Sequence, residues 1–197
     1  MQDKYVFIDR DGVINKDGDG WTEHGYITRW EDFHFIPGVL EAFAKFTEAG
    51  YKSVIISNQK CVGKGLMSKS ALDEITENLM KSAEEHGGKI AGVYYCPHVD
   101  EDGCDCRKPK EGLFLRARKD LGIKGLEGKY FIGDSQRDMQ AGRKVGLKTI
   151  LVLSGKASRR DAETWEHRPD HVCEDLLEAA ELVIKSDMAA KRKAQSA

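Results

Sequence analysis

Short apolar runs alternate with segments of helical period along nearly the whole chain. The runs are Tyr5–Ile8, Tyr51–Ile56, Ile90–Cys96, Lys129–Ile132 and Lys148–Leu153. Between them, Gly38–Ala49, Ser70–His86, Lys110–Leu121 and Gln136–Val145 repeat apolar residues at helical spacing. Such an alternation yields an α/β fold, a doubly wound parallel sheet covered by helices on both faces. His171–Cys173 reads as a short edge strand and Glu174–Lys185 as the last helix. No internal repeat or linker divides the chain, so residues 1–186 read as one domain, and 197 residues suffice for its core. The polar, basic stretch 187–197 reads as a disordered tail.

In an open α/β sheet, ligands bind beyond the carboxyl ends of the strands. Four groups fall there in this sequence: Asp9 and Asp11, Ser57 and Asn58, Arg107-Lys108-Pro109, and Gly133-Asp134-Ser135 with Asp138. Each alone is an ordinary turn or a helix start, since Asp, Ser, Asn and Gly are common in both. Together they set carboxylates, a hydroxyl, an amide and cations on one rim. Asp9, Asp11 and Asp134 form an oxygen-rich set of the kind that holds Mg²⁺ beside a phosphate. The cation and Lys108 would cancel the repulsion between those carboxylates and a phosphate dianion, while Ser57 and Asn58 donate hydrogen bonds to phosphoryl oxygens.

The formal net charge of −2 and the pI near 6.3 give no global attraction to nucleic acid or to anionic membrane. No apolar run is long enough to span a bilayer and no signal-peptide pattern opens the chain, so a cytoplasmic protein is expected. Three of the five cysteines crowd between positions 96 and 106, a pattern that suggests metal rather than a disulfide framework in a reducing compartment. Cys96, His98, Cys104 and Cys106 supply a complete tetrahedral set for Zn²⁺. A closed four-ligand site leaves no position for substrate, so its expected task is to order the loop that carries Arg107 and Lys108. A compact Cys/His site also fits a nucleic-acid-binding module. The acidic pI, the absence of a basic stripe and the rim carboxylates weigh against that reading.

The order Asp9-Arg10-Asp11-Gly12-Val13, Ser57-Asn58, Lys108-Pro109, Gly133-Asp134-Ser135-x-x-Asp138 resembles the four-motif pattern of the haloacid dehalogenase-like phosphatases over nearly the whole chain. The resemblance implies a Rossmann-like fold without a large cap domain. It implies Asp9 as the nucleophile that becomes an aspartyl-phosphate and Asp11 as general acid and then base. It gives Ser57 and Lys108 the phosphoryl group, and gives Mg²⁺ to Asp9, the main-chain carbonyl of Asp11, and Asp134. With the Cys/His loop added, the sequence is similar to the D-glycero-D-manno-heptose 1,7-bisphosphate 7-phosphatases, and next to the histidinol-phosphate phosphatases, which share that loop. His24-Gly25-Tyr26, Phe35-Ile36-Pro37-Gly38-Val39 and Lys64-Gly65-Leu66 resemble the heptose branch more. By that resemblance Glu23, His24, Gly25, Tyr26, Asn58, Gln59, Lys60 and Arg107 contact a small phosphorylated sugar, and the enzyme is a monomer. Arg107 would be free to pair with a second, non-transferred phosphate, because a forked cation suits phosphate. The sequence departs from the pattern in extra residues around Asp17 to Trp21 and in Lys60-Cys61, where Ser-Gly is usual. Cys61 reads as a buried neighbour of the site and Cys173 as a core residue.

Overall fold

The computed structural model describes residues 4–195. Six strands form one parallel sheet: β1 Lys4–Ile8, β2 Tyr51–Asn58, β3 Ile90–Cys96, β4 Tyr130–Gly133, β5 Lys148–Val152 and β6 His171–Cys173. Their order is β3-β2-β1-β4-β5-β6. The chain steps outward from β1 to β3 on one side, then crosses back to lay β4 against β1 on the other. The strand order therefore reverses between β1 and β4, and a crevice opens at their carboxyl ends. Asp9 leaves the sheet there, its N–H still donating to Ile132 O at 2.9 Å.

Side chains on a strand alternate between faces, and β1 shows how both become buried. Val6 and Ile8 pack in one core with α1 (Val39–Glu48), α3 (Lys69–Glu85) and α7 (Leu176–Gln195). Tyr5 and Phe7 pack in the opposite core with α4 (Gly112–Asp120) and α5 (Gln136–Lys144). Phe114 joins the two rings at that second core's centre, 5.7 Å from Phe7 and 4.9 Å from Phe131. Such doubly covered strands explain the continuous apolar runs of the sequence. Among the described residues no helix is long and apolar enough to cross a membrane.

Some elements differ from the expectation. Two helices fall where no helical period was visible: the short helix α2, Lys60–Gly63, and, in the polar segment after β5, the helix α6, Arg159–Thr164, capped by Ser158. On α4, Leu113, Phe114 and Ala117 are buried, while Leu115 points to solvent although it is apolar. The last helix does not stop at Lys185. It continues to Gln195, so the part of the expected disordered tail that is described is helical. Asp187 holds it there, paired with Lys4 at 2.6 Å and with Lys191 one turn on at 3.4 Å, and Met188-Ala189-Ala190 are good helix formers.

The segment between β1 and α1 contains no cap domain. Asn15 bridges Asp11 and Phe35, and Trp21 stacks on His34 at 5.1 Å, so this long segment is pinned to the body of the protein. It presents Gly25, Tyr26 and Ile27 to the crevice.

Candidate active site

The crevice is a cleft of about 410 Å³ that takes in all four rim groups. Asp9 and Asp11 follow β1, Ser57 and Asn58 end β2, Lys108 follows β3, and Asp134 follows β4.

Lys108 is buried at the centre. Its ammonium lies 2.9 Å from Asp9 Oδ1 and 2.7 Å from Asp138 Oδ1, and donates to Ile56 O at 3.0 Å. An ammonium has three N–H donors, so this one is fully committed. Burial pulls the Lys108 pKa down, but Asp138 and Asp9 outweigh it and the pKa rises. The backbone of Lys108 is held by a reciprocal pair: its N–H donates to Asn58 Oδ1 at 3.0 Å, and Asn58 Nδ2 donates to Lys108 O at 3.1 Å. Asn58, expected to contact substrate, here anchors the lysine loop.

Asp9, Asp134 and Asp138 bring carboxylate oxygens within 4.8 Å of one another. Asp138 is committed elsewhere, its Oδ1 to Lys108 and its Oδ2 to the N–H and O–H of Ser135 at the start of α5. Asp9 Oδ1 accepts from Arg10 N–H at 2.7 Å as well as from Lys108. Asp134 Oδ2 accepts from Lys156 N–H at 2.9 Å. The second oxygens of Asp9 and Asp134 receive no hydrogen bond from any described residue. The backbone crowds closely here: a Cβ at Gly12, whose φ is +81°, or at Gly155 would run into the Asp134 carboxylate. Burial pushes the Asp9 carboxyl up to about 6; Lys108 pulls it down, while Asp138 and Asp11 push it further up. Asp134 is raised well above its ordinary value by burial first, then by Asp138 and Asp9. Three buried carboxylates against one ammonium, with two oxygens to spare, fit a hard divalent cation with oxygen ligands.

Asp11 lies outside that cluster. Arg10 Nη2 grips both its oxygens, at 2.9 and 3.1 Å, while Asn15 Nδ2 donates at 3.0 Å and Gln59 Nε2 at 2.7 Å. Burial raises its pKa, but the Arg10 charge and these hydrogen bonds win and the pKa is lowered. Arg10 itself is buried, with Phe33 and Tyr95 rings 5.9 and 5.6 Å from its guanidinium. It orients the loop and lends its charge to Asp11.

Of the expected substrate contacts, Gly25, Tyr26, Asn58, Gln59, Lys60 and Arg107 line the cleft. Glu23 and His24 do not; their side chains are 88% and 45% exposed. The turn that stacks Trp21 on His34 faces them outward. Arg107 is partly engaged: its Nε donates to Asp100 Oδ1 and Nη1 reaches His98 O at 3.5 Å, which commits two of its five N–H donors. Asp100 opens a 3-10 turn, Asp100–Asp102, inside the Cys/His loop. The cleft also receives Asp17, Gln136, Arg137 and Lys156, none singled out from sequence. Lys156 Nζ pairs with Asp17 Oδ2 at 3.0 Å and so joins the loop after β5 to the long segment after β1.

Cys96, His98, Cys104 and Cys106 converge. The sulfurs are 3.2 to 3.6 Å apart, and His98 Nδ1 lies 3.2 Å from Cys106 Sγ and 3.6 Å from Cys96 Sγ. A tetrahedral Zn²⁺ with three thiolates and one imidazole requires ligand separations of about 3.5–3.8 Å. All five thiols are free, and Cys61 and Cys173 are buried apart from the cluster. Burial pushes both of those thiols up, Cys173 to about 11.

A hydrolase-like family model, described as HAD-hydrolase-like, matches residues 105–179. A D-glycero-beta-D-manno-heptose-1,7-bisphosphate 7-phosphatase of Haemophilus ducreyi is 39% identical over 171 residues, covering 83% of this chain and 90% of that protein. One of Vibrio cholerae is 40% identical over 166 residues, covering 80% and 86%. The crystal structure of D,D-heptose 1,7-bisphosphate phosphatase from Bordetella bronchiseptica, complexed with magnesium and phosphate, superposes with a TM-score of 0.83 at 31% identity, covering 93% of this chain and 99% of that one. The chain belongs to the D-glycero-beta-D-manno-heptose-1,7-bisphosphate 7-phosphatase family of HAD-like hydrolases.

Proposed function

We propose that this chain is a Mg²⁺-dependent phosphatase that removes the 7-phosphate of D-glycero-D-manno-heptose 1,7-bisphosphate through an aspartyl-phosphate. The observation that carries the reading is the state of Asp9. One oxygen is pinned by Lys108 and by Arg10 N–H, and the other is left without a donor at the cleft. A carboxylate held in that way can attack phosphorus with little reorganisation.

The residues divide the work as follows. Asp9 and Asp134, with the main-chain carbonyl of Asp11, hold Mg²⁺, which when bound neutralises phosphoryl charge. Ser57 donates to the phosphoryl group, Lys108 supplies positive charge beside it while held against Asp9, and Asp138 keeps Lys108 in place and charged. Asp9 forms a bond to phosphorus. The bond from phosphorus to the sugar oxygen breaks, its electron pair stays on that oxygen, and Asp11 supplies the proton. Asp11, now a carboxylate, takes a proton from water as that water attacks phosphorus and the bond to Asp9 breaks. The hydrogen bonds that Arg10, Asn15 and Gln59 donate to Asp11 suit this second, ionised role. Arg107, Lys60 and Arg137 line the cleft as cations for the phosphate that is not transferred. The Cys/His cluster holds a structural Zn²⁺ that fixes the loop carrying Arg107 and Lys108.

Asp9→Asn tests the covalent step. It keeps the shape and removes the attacking charge, so phosphate release should vanish while the protein stays folded and still unfolds cooperatively on heating. Release above a few per cent of wild type, roughly, would overturn the mechanism.

A further inference from the structure

Gln59 was expected to touch substrate, yet both its amide N–H groups point into the protein. It is 2% exposed. Its Nε2 donates to Asp11 Oδ2 at 2.7 Å and to Ser57 Oγ at 3.1 Å. A primary amide has two N–H donors, so none remains for a ligand. Its Oε1 faces the Cys61 thiol at 3.7 Å, and its main-chain N–H donates to Cys96 O at 2.7 Å. The other donors to Asp11, Arg10 and Asn15, belong to the same loop as Asp11 itself. Among the described residues, Gln59 alone ties that carboxyl to a different element, the end of β2 where Ser57 stands.

We propose that Gln59 is a positioning residue that sets the acid–base carboxyl of Asp11 against the phosphoryl group held by Ser57. The proposal rests on the phosphatase reading above. Without Gln59, Asp11 keeps its own loop's contacts but loses its register to the reacting phosphate. The bond from phosphorus to the sugar oxygen then breaks with the proton donor misplaced. That matters for an alkyl leaving group, which needs the proton. It matters little for p-nitrophenolate, which leaves as a stable anion. A residue that merely supported the fold, or acted only through Ser57, would affect both esters alike.

The test is kcat/KM of wild type and Gln59→Met on heptose 1,7-bisphosphate and on p-nitrophenyl phosphate, with Mg²⁺ saturating and melting temperature recorded. This constant covers only the steps up to departure of the leaving group, so hydrolysis of the aspartyl-phosphate does not enter it. General acid catalysis contributes about 10²–10⁴-fold, so mispositioning should cost the sugar ester at least about tenfold more than the aryl ester. Equal losses would overturn the proposal. Gln59→Glu serves if the methionine variant does not fold. It sets one carboxylate against another and should show the same dependence on leaving group. Asp11→Asn on the same two esters separates the failures. If it loses equally on both, the acid role of Asp11 fails, and this inference with it. If it discriminates and the Gln59 variants do not, the inference alone fails.

Discussion

Removing the ammonium of Lys108 should destabilise the metal-free protein through charges left behind rather than through lost packing. Lys108 is 2% exposed, and its partners Asp9 and Asp138 are buried with it, at 2.9 and 2.7 Å. Lys108→Met keeps most of the side-chain volume. It leaves Asp9, Asp134 and Asp138 facing one another with no cation inside the cluster. Breaking a buried ion pair by removing one partner costs about 3–5 kcal/mol. For a chain of this size that is a fall in melting temperature of about 6–20 °C. The assay is thermal unfolding in chelator for wild type, Lys108→Met, Asp138→Asn and the double variant. Asp138→Asn removes one of the carboxylates stranded by the first change. The double variant should therefore regain a good part of the loss, a coupling of about 1–3 kcal/mol in the cycle. It should regain no activity, because the phosphoryl group still lacks its lysine. Additive effects, or a loss below about 1 kcal/mol for Lys108→Met, would refute the claim that this lysine offsets the charge of the cluster.

Three further outcomes follow from the same structure. Arg107→Ala should lower kcat/KM about ten- to a hundredfold on the bisphosphate and little on a monophosphate, one charge-assisted contact being worth about 1.5–3 kcal/mol; an equal loss would make Arg107 a structural partner of Asp100 only. Metal analysis should find about one Zn²⁺ per chain, and Cys104→Ser or Cys106→Ser should lower both melting temperature and activity; a zinc-free preparation unchanged in both would remove the structural role. The Asp9 carboxyl titrates near 6 against 3.8 ordinarily. Between those values the folded state binds more protons than the unfolded one, so this group's contribution to metal-free stability falls as pH rises. Asp9→Asn should therefore gain stability on wild type across that window in chelator, and a constant difference between the two curves would contradict the raised pKa.

The sheet was legible because parallel strands buried on both faces must be continuous apolar runs, and β3 falls on Ile90–Cys96 as the runs place it. The rim was legible for a related reason. Strand ends fix where a side chain emerges, so Asp9, Ser57, Lys108 and Asp134 meet as expected. The Cys/His set was readable because its spacing leaves few ways to fold. What was hidden depends on which partner a side chain finds. Asp138 looks like a helix cap in sequence, and it does accept from Ser135, but the same carboxylate also holds Lys108. Glu23 and His24 follow Trp21 closely, yet its stacking on His34 turns them to solvent while Gly25 and Tyr26 reach the cleft. Asp100 occupies Arg107 from seven residues away, a pairing that a 3-10 turn creates and no sequence period announces. Lys156 comes from a loop whose place follows only from sheet order. The length of the last helix depends on an ion pair to Lys4, distant in sequence.

The central claim is the bond that is cut and the molecule it is cut from. Phosphorus NMR of turnover on heptose 1,7-bisphosphate, run beside phosphate release from histidinol phosphate at matched concentrations, tests both at once. The account predicts that the 7-phosphate signal gives way to inorganic phosphate while the 1-phosphate signal persists, with the bisphosphate strongly preferred. Loss of the 1-phosphate first, or faster release from histidinol phosphate, would contradict it.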